Sequence, residues 1–435
     1  MASKVNVRFV VTLSAVLGVI FIGVAAMAFF VLTHSGAELE RMGDQAMADK
    51  DFKNAIVYYG KSFSDDQTHI GRLDKYIGAM RAYTPENQAL YNDYYRNKYV
   101  PALMFRANLL RNDLAAQTEI LDVLSTNMYE GGFSRRGWDH VAQVATASIA
   151  AFEAGAPAPG WERLRRYRGL AYLEIFSSGQ DLEDAQLETI EPDLLAALAA
   201  DPADEKVALA LVTWHTLNGN LAARNDQAAL EAEQRAKAQE ALDRALAAHP
   251  GSINGAVTAL GLKFEAAARA ADPKKFKPDE RLRMIREAAA ALEPDLASVF
   301  AGVRAAGLER IEASTLYRLN RLERYIRDNK DEESQALIDQ SIGLRPAAAD
   351  LRFLRGRICE ERGQELEAIA QYEALRAIPV PPLSLEGMLL YEQKLAAITR
   401  QAEAAMALWE KADAADKPKA LATVEEYRER LEAEV

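Results

Sequence analysis

The five histidines are the first candidates for acid–base or metal chemistry in this 435-residue sequence, and their spacing argues against both. Metal sites bring histidines together at short helical spacings or join them to cysteine thiolates. No histidine here has a second one at such a spacing, and Cys359 is the only cysteine. The sequence therefore predicts no metal, no cofactor and no catalytic residue at the histidines, which are His34, His69, His140, His215 and His249.

The run at 59–62, with sequence YGKS, ends like a nucleotide-binding phosphate loop. That motif needs a glycine where this chain has Ala55, and it needs a glycine-rich loop after a strand, whereas this stretch has a helical pattern. The paired acids Glu360 and Glu361 show no partner in the sequence that would shift their pKa, so a solvated helix face explains them. We therefore predict that the chain is not an enzyme.

One basic cluster contains arginines interleaved with Trp138, Trp161 and Tyr167. Such a cluster has two interpretations, a surface for an anionic ligand or a helix face that balances nearby acids such as Asp184. The candidate anionic-ligand patch consists of Arg135, Arg136, Arg163, Arg165, Arg166 and Arg168.

The whole chain carries a formal charge of −12, and the first 33 residues hold Lys4 and Arg8 but no acid, so the remainder carries −14. Because nucleic acid repels so acidic a body, we expect no nucleic-acid partner. Strong helix formers, Ala, Leu, Glu and Arg, dominate the composition beyond these residues. This composition favours an all-α protein.

A run without charged residues extends from Phe9 to Leu32. As a helix these positions would measure about 36 Å, enough to cross a hydrocarbon core of about 30 Å. The alternative is a cleaved signal peptide, since 26–28 has the small-x-small form of a cleavage site, but the apolar run continues past it. Basic residues flank its N-terminal side, which places a short N-terminus in the cytoplasm and the body outside.

Two segments share a pattern of small, aromatic and apolar residues at matching offsets. In one, Gly43 is followed by Ala55 and Tyr59; in the other, Gly356 is followed by Ala368 and Tyr372, and Pro379 closes the unit. This pattern resembles the tetratricopeptide repeat, a helix–turn–helix of about 34 residues. Between them the pattern is degenerate, with Gly169 and Gly261 at offsets expected of first helices.

The resemblance implies a right-handed α-α superhelix, a tetratricopeptide-like solenoid, preceded by one transmembrane helix. We expect it to leave an open curved surface instead of a closed pocket. The predicted organisation is a cytoplasmic N-terminus at 1–8, a transmembrane helix at 9–32, a repeat at 34–69, a divergent helical region at 70–160, degenerate repeats with insertions at 161–346, a repeat at 349–382 and C-terminal capping helices at 383–435.

Such solenoids line their concave face with the first helix of each pair, and the resemblance implies binding of proteins or peptides there. We therefore predict a membrane-anchored scaffold for an envelope complex. Two alternatives remain, an extracytoplasmic chaperone that holds unfolded clients and an envelope enzyme subunit on a helical scaffold. The groove-facing candidates are Glu40, Asp44, Met47, Phe353, Arg357, Glu360 and Glu361.

Overall fold

A computed structural model describes residues 35–129, 135–155, 159–271, 276–381, 385–413 and 416–434. These residues are helical and contain no β-strand, which confirms the all-α class for the part of the chain described. Among the described helices, none combines the length and the apolar character needed to cross a membrane. The predicted transmembrane segment at 9–32 lies outside the described residues.

The described residues divide into two compact units. One unit contains residues 35–85 and Asp93–Leu109, and the other contains Glu86–Asn92 and the chain from Leu110 onward. The helices up to residue 109 are α1 (Gly36–Ala48), α2 (Phe52–Asp65), α3 (Ile70–Ala82), α4 (Gln88–Tyr94), a π-helical turn (Tyr95–Tyr99) and α5 (Val100–Leu109).

The second unit contains the remaining helices. They are α6 (Leu114–Tyr129), α7 (Arg135–Ala154), a 3₁₀ turn (Trp161–Leu164), α8 (Arg165–Ser177), α9 (Asp184–Ala200), α10 (Glu205–Arg224), α11 (Ala228–Ala248), α12 (Ile253–Ala270), α13 (Pro278–Ala290), α14 (Glu293–Ala306), a 3₁₀ turn (Leu308–Arg310), α15 (Ala313–Ile326), α16 (Glu332–Leu344), α17 (Ala349–Glu361), α18 (Glu365–Arg376), α19 (Leu385–Lys411) and α20 (Lys417–Glu434).

The two segments with the shared pattern are helix pairs of the same construction. In α1 and α2 a Cβ atom on Gly43 would lie 2.6 Å from the ring of Tyr59, and in α17 and α18 a Cβ atom on Gly356 would lie 2.5 Å from the ring of Tyr372. In each pair the tyrosine ring therefore fills the space that a side chain on the first helix would need. The predicted role of these glycines is confirmed.

The two degenerate matches differ from each other. A Cβ atom on Gly169 of α8 would lie 3.0 Å from Leu194 of α9, so Gly169 does mark a close crossing. A Cβ atom on Gly261 of α12 would meet nothing within 4 Å, so the glycine there is not required by packing. Of the two degenerate matches, only Gly169 therefore marks a close helix crossing.

Polar side chains join α15 to α16 in the interior of the second unit. The Glu323 carboxylate, which is fully buried, accepts the backbone N–H of Ser334 at 2.8 Å and of Glu333 at 3.3 Å. Arg327 donates to the same carboxylate at 2.6 Å. A side chain of one helix thus supplies the acceptors that the N-terminus of the next helix lacks. This contact fixes the direction in which α16 leaves α15.

The long helix α19 makes contact with both α18 and α6, the first long helix of the second unit. Its 27 residues give it a length of about 40 Å, long enough to pack on one neighbour and reach another. The second unit therefore contains a contact between helices that lie far apart in the sequence. The sequence pattern of a single helix carries no information about so distant a partner.

We expect Gly356→Ala to lower the free energy of unfolding by about 1–3 kcal/mol, because the added methyl group overpacks the crossing against Tyr372. Gly261→Ala is the matched control, and it should raise the free energy by about 0.5–1 kcal/mol, since alanine suits a helix interior better than glycine. Urea denaturation followed by circular dichroism measures both. Equal midpoints for the two variants would contradict the assignment of Gly356 to a tight crossing.

Candidate functional site

A concave groove of about 690 Å³ lies within the second unit. Its lining comes from every helix in the series α8, α10, α12, α15, α17 and α19, together with the turn at Leu308–Arg310 and the segment that follows it. The intervening helices α9, α11, α13, α14, α16 and α18 do not contribute. Every second helix therefore faces the groove, except between α12 and α15, where two helices intervene. We call this space the inner groove.

One part of the inner groove is mainly apolar. Leu170 and Leu173 of α8 and Leu209 and Ala210 of α10 line it. Leu170, Leu173 and Ala210 also belong to the hydrophobic core formed by α8, α9 and α10. Because the core holds these side chains, this part of the groove has a fixed shape.

Another part of the inner groove carries four arginines, Arg310, Arg318, Arg345 and Arg357. The Arg318 guanidinium donates to the Thr258 hydroxyl at 2.8 Å, and Arg345 donates to the backbone carbonyl of Ile311 at 2.9 Å. The Arg357 guanidinium lies 5.3 Å from the ring centroid of Tyr317. Within the described residues, none of the four arginines forms an ion pair with a carboxylate.

The electrostatic environment of the inner groove follows from this lining. Lys206 and the four arginines face only three carboxylates, on Glu174, Glu312 and Asp350, although the whole chain carries −12. The Lys206 ammonium and the Glu312 carboxylate lie 3.8 Å apart. The groove is thus locally positive in an acidic protein, and a positive cleft of this kind concentrates anions.

Burial disfavours the charged form of two groups in the inner groove, Arg318 and Glu174. Arg318 reaches solvent through the groove, but the protein atoms around it desolvate the guanidinium and lower its pKa. Burial also raises the pKa of the Glu174 carboxyl, and no opposing charge contributes to that shift. Both groups therefore bear a desolvation cost that a bound partner of suitable charge or polarity can relieve.

Three arginines of the second unit that lie outside the groove form ion pairs with carboxylates. Arg168 donates to the buried Asp193 carboxylate at 2.5 and 2.9 Å, and Arg355 donates to Asp339 at 2.8 Å. Arg327 bridges three carboxylates, including that of Glu293 at 2.6 Å. These three arginines are neutralised by carboxylates within the chain, whereas, among the described residues, the four in the groove are not.

The first set of predicted groove residues, on α1, is engaged within the first unit. The Glu40 carboxylate lies 2.8 Å from the Lys75 ammonium, whose hydrogen bond lowers the pKa of Glu40. Asp44 accepts from Lys75 at 2.8 Å and from the Tyr59 hydroxyl at 2.7 Å. Met47 is half-buried. The two acids therefore contribute to packing between α1, α2 and α3.

The second predicted set, on α17, divides into two pairs. Phe353 and Arg357 line the inner groove. Glu361 pairs with Arg324 at 2.8 Å and accepts the Tyr317 hydroxyl at 2.7 Å, outside the inner groove. Glu360 is half-buried, and this burial raises its pKa. Phe353 is buried within that lining, Arg357 is half-buried, and Glu361 is exposed.

The predicted anionic-ligand patch does not form a set of free cations. Arg165 pairs with Glu153 at 3.1 Å, Arg166 pairs with Asp204, and Arg168 pairs with Asp193. Arg163 is exposed. The side chains of Arg135 and Arg136 lie outside the described part of the chain. The cluster therefore has the arrangement of helix faces balanced by nearby acids, the second interpretation of the sequence.

Sequence reasoning missed Arg310, Arg318, Arg345 and Glu174. A signal was present in α15, where arginines recur at 318, 321 and 324 among tyrosines. That run alone does not distinguish a groove from a solvated face, since only the fold shows which arginines lack carboxylates. In the described part of the chain, no cluster of histidine, cysteine or acidic side chains is arranged to hold a metal ion.

Comparison with known proteins gives no family and no close relative. No protein-family model matches the chain, and no curated protein matches it. Similar solved structures include the crystal structure of the P58(IPK) TPR domain (11% identity, 85% of this chain and 98% of that chain, TM-score 0.20). They also include yeast Tom70 (14%, 85% and 96%, 0.20) and Naa15/Naa10 bound to HypK-THB (12%, 89% and 67%, 0.19). Scores of this size do not establish a common fold, so the helix-pair architecture rests on the contacts within this chain.

We expect the desolvated Glu174 carboxyl to make stability depend on pH. The folded protein holds this proton more tightly than the unfolded chain does, so the free energy of unfolding falls as pH rises above the ordinary glutamate value of 4.5. Glu174→Gln removes the penalty, so the variant should unfold at higher urea than the native chain at roughly pH 8, and the difference should shrink towards roughly pH 4. Glu287→Gln, at an exposed position of α13, is the control and should leave the urea midpoint unchanged at both pH values. A constant difference at all pH values would contradict this role of Glu174.

Proposed function

We propose that this chain is a membrane-anchored helical-repeat adaptor that binds a segment of a partner protein in the inner groove. The observation that carries the proposal is the arrangement of the second unit, in which six helices, separated along the chain by one helix or, between α12 and α15, by two, face one concave space. Helix-pair arrays characteristically use such concave surfaces for binding. The anchor is the apolar run at 9–32, and the body then lies outside the cytoplasm in an envelope complex.

The dimensions of the inner groove suit a short segment of chain better than a folded domain. Its volume of about 690 Å³ lies within the range of small-ligand clefts. The contact between α19 and α6 joins the two ends of the second unit. A preformed groove held by hydrophobic cores on both flanks needs little rearrangement on binding, which preserves affinity. The anchor adds a further gain, because it raises the effective concentration of partners in the same membrane.

We expect Thr213→Trp to block binding while leaving the fold intact. Thr213 is an exposed residue of α10 in the inner groove, so an indole there occupies space that a partner needs. Thr399→Trp is the matched control, since Thr399 is also exposed, also donates to a backbone carbonyl four residues earlier, and does not line the groove. The readout is photo-crosslinking in cells, with a photoreactive residue in place of Leu354 in the groove.

The adaptor hypothesis predicts one predominant protein adduct from position 354, reduced about tenfold by Thr213→Trp and unchanged by Thr399→Trp. A photoreactive residue in place of Leu366, which is 67% exposed and lies on α18, reports contacts outside the groove. Many unrelated adducts from position 354 would indicate the chaperone alternative instead. If position 354 yields no more adduct than position 366, the proposed site is contradicted.

The anchor has its own test. Each of the substitutions Phe21→Arg and Val24→Arg should make the free energy of membrane insertion less favourable by about 2.5–3.5 kcal/mol. The chain that carries both should be released from the membrane fraction under alkaline extraction. The mass of the purified native chain distinguishes the remaining alternative. A mature chain that begins after Ala28 would show that the run is a cleaved signal peptide.

A further inference from the structure

We infer that the partner segment is acidic and apolar: its carboxylates pair with Arg318, Arg345 and Arg357, and its apolar side chains pack on α8 and α10. This inference rests on the proposed function and specifies the chemistry of the partner. It requires no free chain terminus, because internal aspartate or glutamate side chains supply the carboxylates. The inference stands on four features of the inner groove.

The first feature is the unused hydrogen-bonding capacity of the arginines. A guanidinium carries five N–H donors, and the described contacts of Arg318 use one of them, at Thr258. The Nε–H of Arg345 is buried without an acceptor among the described residues. Arg318 is exposed, so its remaining donors can be reached from the groove, and a carboxylate accepts two of them in stronger, charge-assisted hydrogen bonds. An anionic group therefore complements this part of the groove better than a neutral one.

The second feature is the fixed orientation of Arg357. Its guanidinium lies 5.3 Å from the Tyr317 ring centroid, within cation–π distance, and the Tyr317 hydroxyl donates to Glu361 at 2.7 Å. This contact restrains the guanidinium without using a carboxylate. A planar guanidinium held in this way is suited to a bidentate carboxylate, with little entropy left to lose on binding.

The third feature is the division of charge along the lining. Glu174 lies on α8 beside Leu170 and Leu173, and it repels any acid placed there. The arginines lie on α15, on α17 and at the end of α16. The acidic residues of the segment are therefore directed to the arginines, and its apolar residues are directed to α8 and α10.

The fourth feature favours a polypeptide over an acyl chain. Hydroxyl and amide groups on Thr213, Asn254, Thr258 and Ser314 interrupt the lining of the groove. An acyl chain requires continuous apolar surface, whereas a peptide backbone presents N–H and C=O groups that need such partners. The negative charge of the body disfavours nucleic acid in the same space.

The test uses three peptides and the full-length chain in detergent micelles. All three are acetylated and amidated octapeptides in which leucine alternates with glutamate, glutamine or lysine, and isothermal titration calorimetry measures their affinities. We expect the glutamate peptide to bind about tenfold or more tightly than the glutamine peptide, and the lysine peptide not to bind. Equal affinity of the glutamate and glutamine peptides, or no binding by any of the three, would overturn the inference.

Two variants locate the interaction within the chain. Arg318→Gln and Arg357→Gln should each weaken the glutamate peptide about tenfold while leaving the glutamine peptide unchanged. Arg283→Gln on α13 removes the same charge at a position that is 70% exposed and outside the groove, and it should have no effect. Loss of affinity by all three variants equally would indicate a diffuse charge effect and overturn the assignment to these two arginines.

The crosslinking experiment separates this inference from the proposed function. Mass spectrometry of the adduct at position 354 identifies the segment that occupies the groove. An acidic segment supports both proposals, and a neutral or basic segment overturns only the inference. Absence of a groove adduct overturns the proposed function itself. An adduct with a phospholipid, abolished by Arg318→Gln, would reassign the groove to a membrane lipid and overturn the inference.

Discussion

Close crossing of two helices, made possible by a residue without a side chain, is the contact on which the helix pairs at both ends of the chain depend. Gly43 meets the Tyr59 ring and Gly356 meets the Tyr372 ring, so the two axes approach until an aromatic ring fills the gap. Helices paired in this way bury only part of their apolar surface, and each pair must be completed by the next. In the second unit six helices lie on the same side, each separated from the next by one helix or, between α12 and α15, by two, and the inner groove lies between them.

The sequence was informative wherever a single residue type decides a local contact. The offset of 16 residues from Gly43 to Tyr59, and again from Gly356 to Tyr372, predicted two crossings that the structure confirms. The same pattern failed at Gly261, because glycine occurs in helices for reasons other than close packing. Phe353 and Arg357, which the second of these segments proposed as groove residues, line the inner groove.

The groove arginines could not be predicted from the sequence, because the sequence does not show which arginines pair with a carboxylate in the folded chain. Arg168 and Arg318 are indistinguishable as residue types, yet Asp193 neutralises the first while the second keeps its charge in the groove. That difference comes from helices brought together by folding. A chain of −12 has ample carboxylates to pair every arginine, so a group of unneutralised arginines in one cleft reflects a local arrangement and not composition. Leaving the Glu174 carboxyl desolvated and the Arg345 Nε–H without an acceptor in the described part of the chain lowers stability, a pattern typical of sites adapted for binding.

The return of α19 onto α6 also bears on when the groove can exist during synthesis. In most repeat arrays each unit touches only its neighbours, so early repeats can reach their final form while later ones are still being made. Here Gln393 of α19 contributes to a lining that starts at Leu170 of α8. A nascent chain that has not yet emerged beyond about residue 400 therefore lacks part of this lining. Only a chain that extends past this helix can present the finished groove, and a product that stops before it would lack the groove.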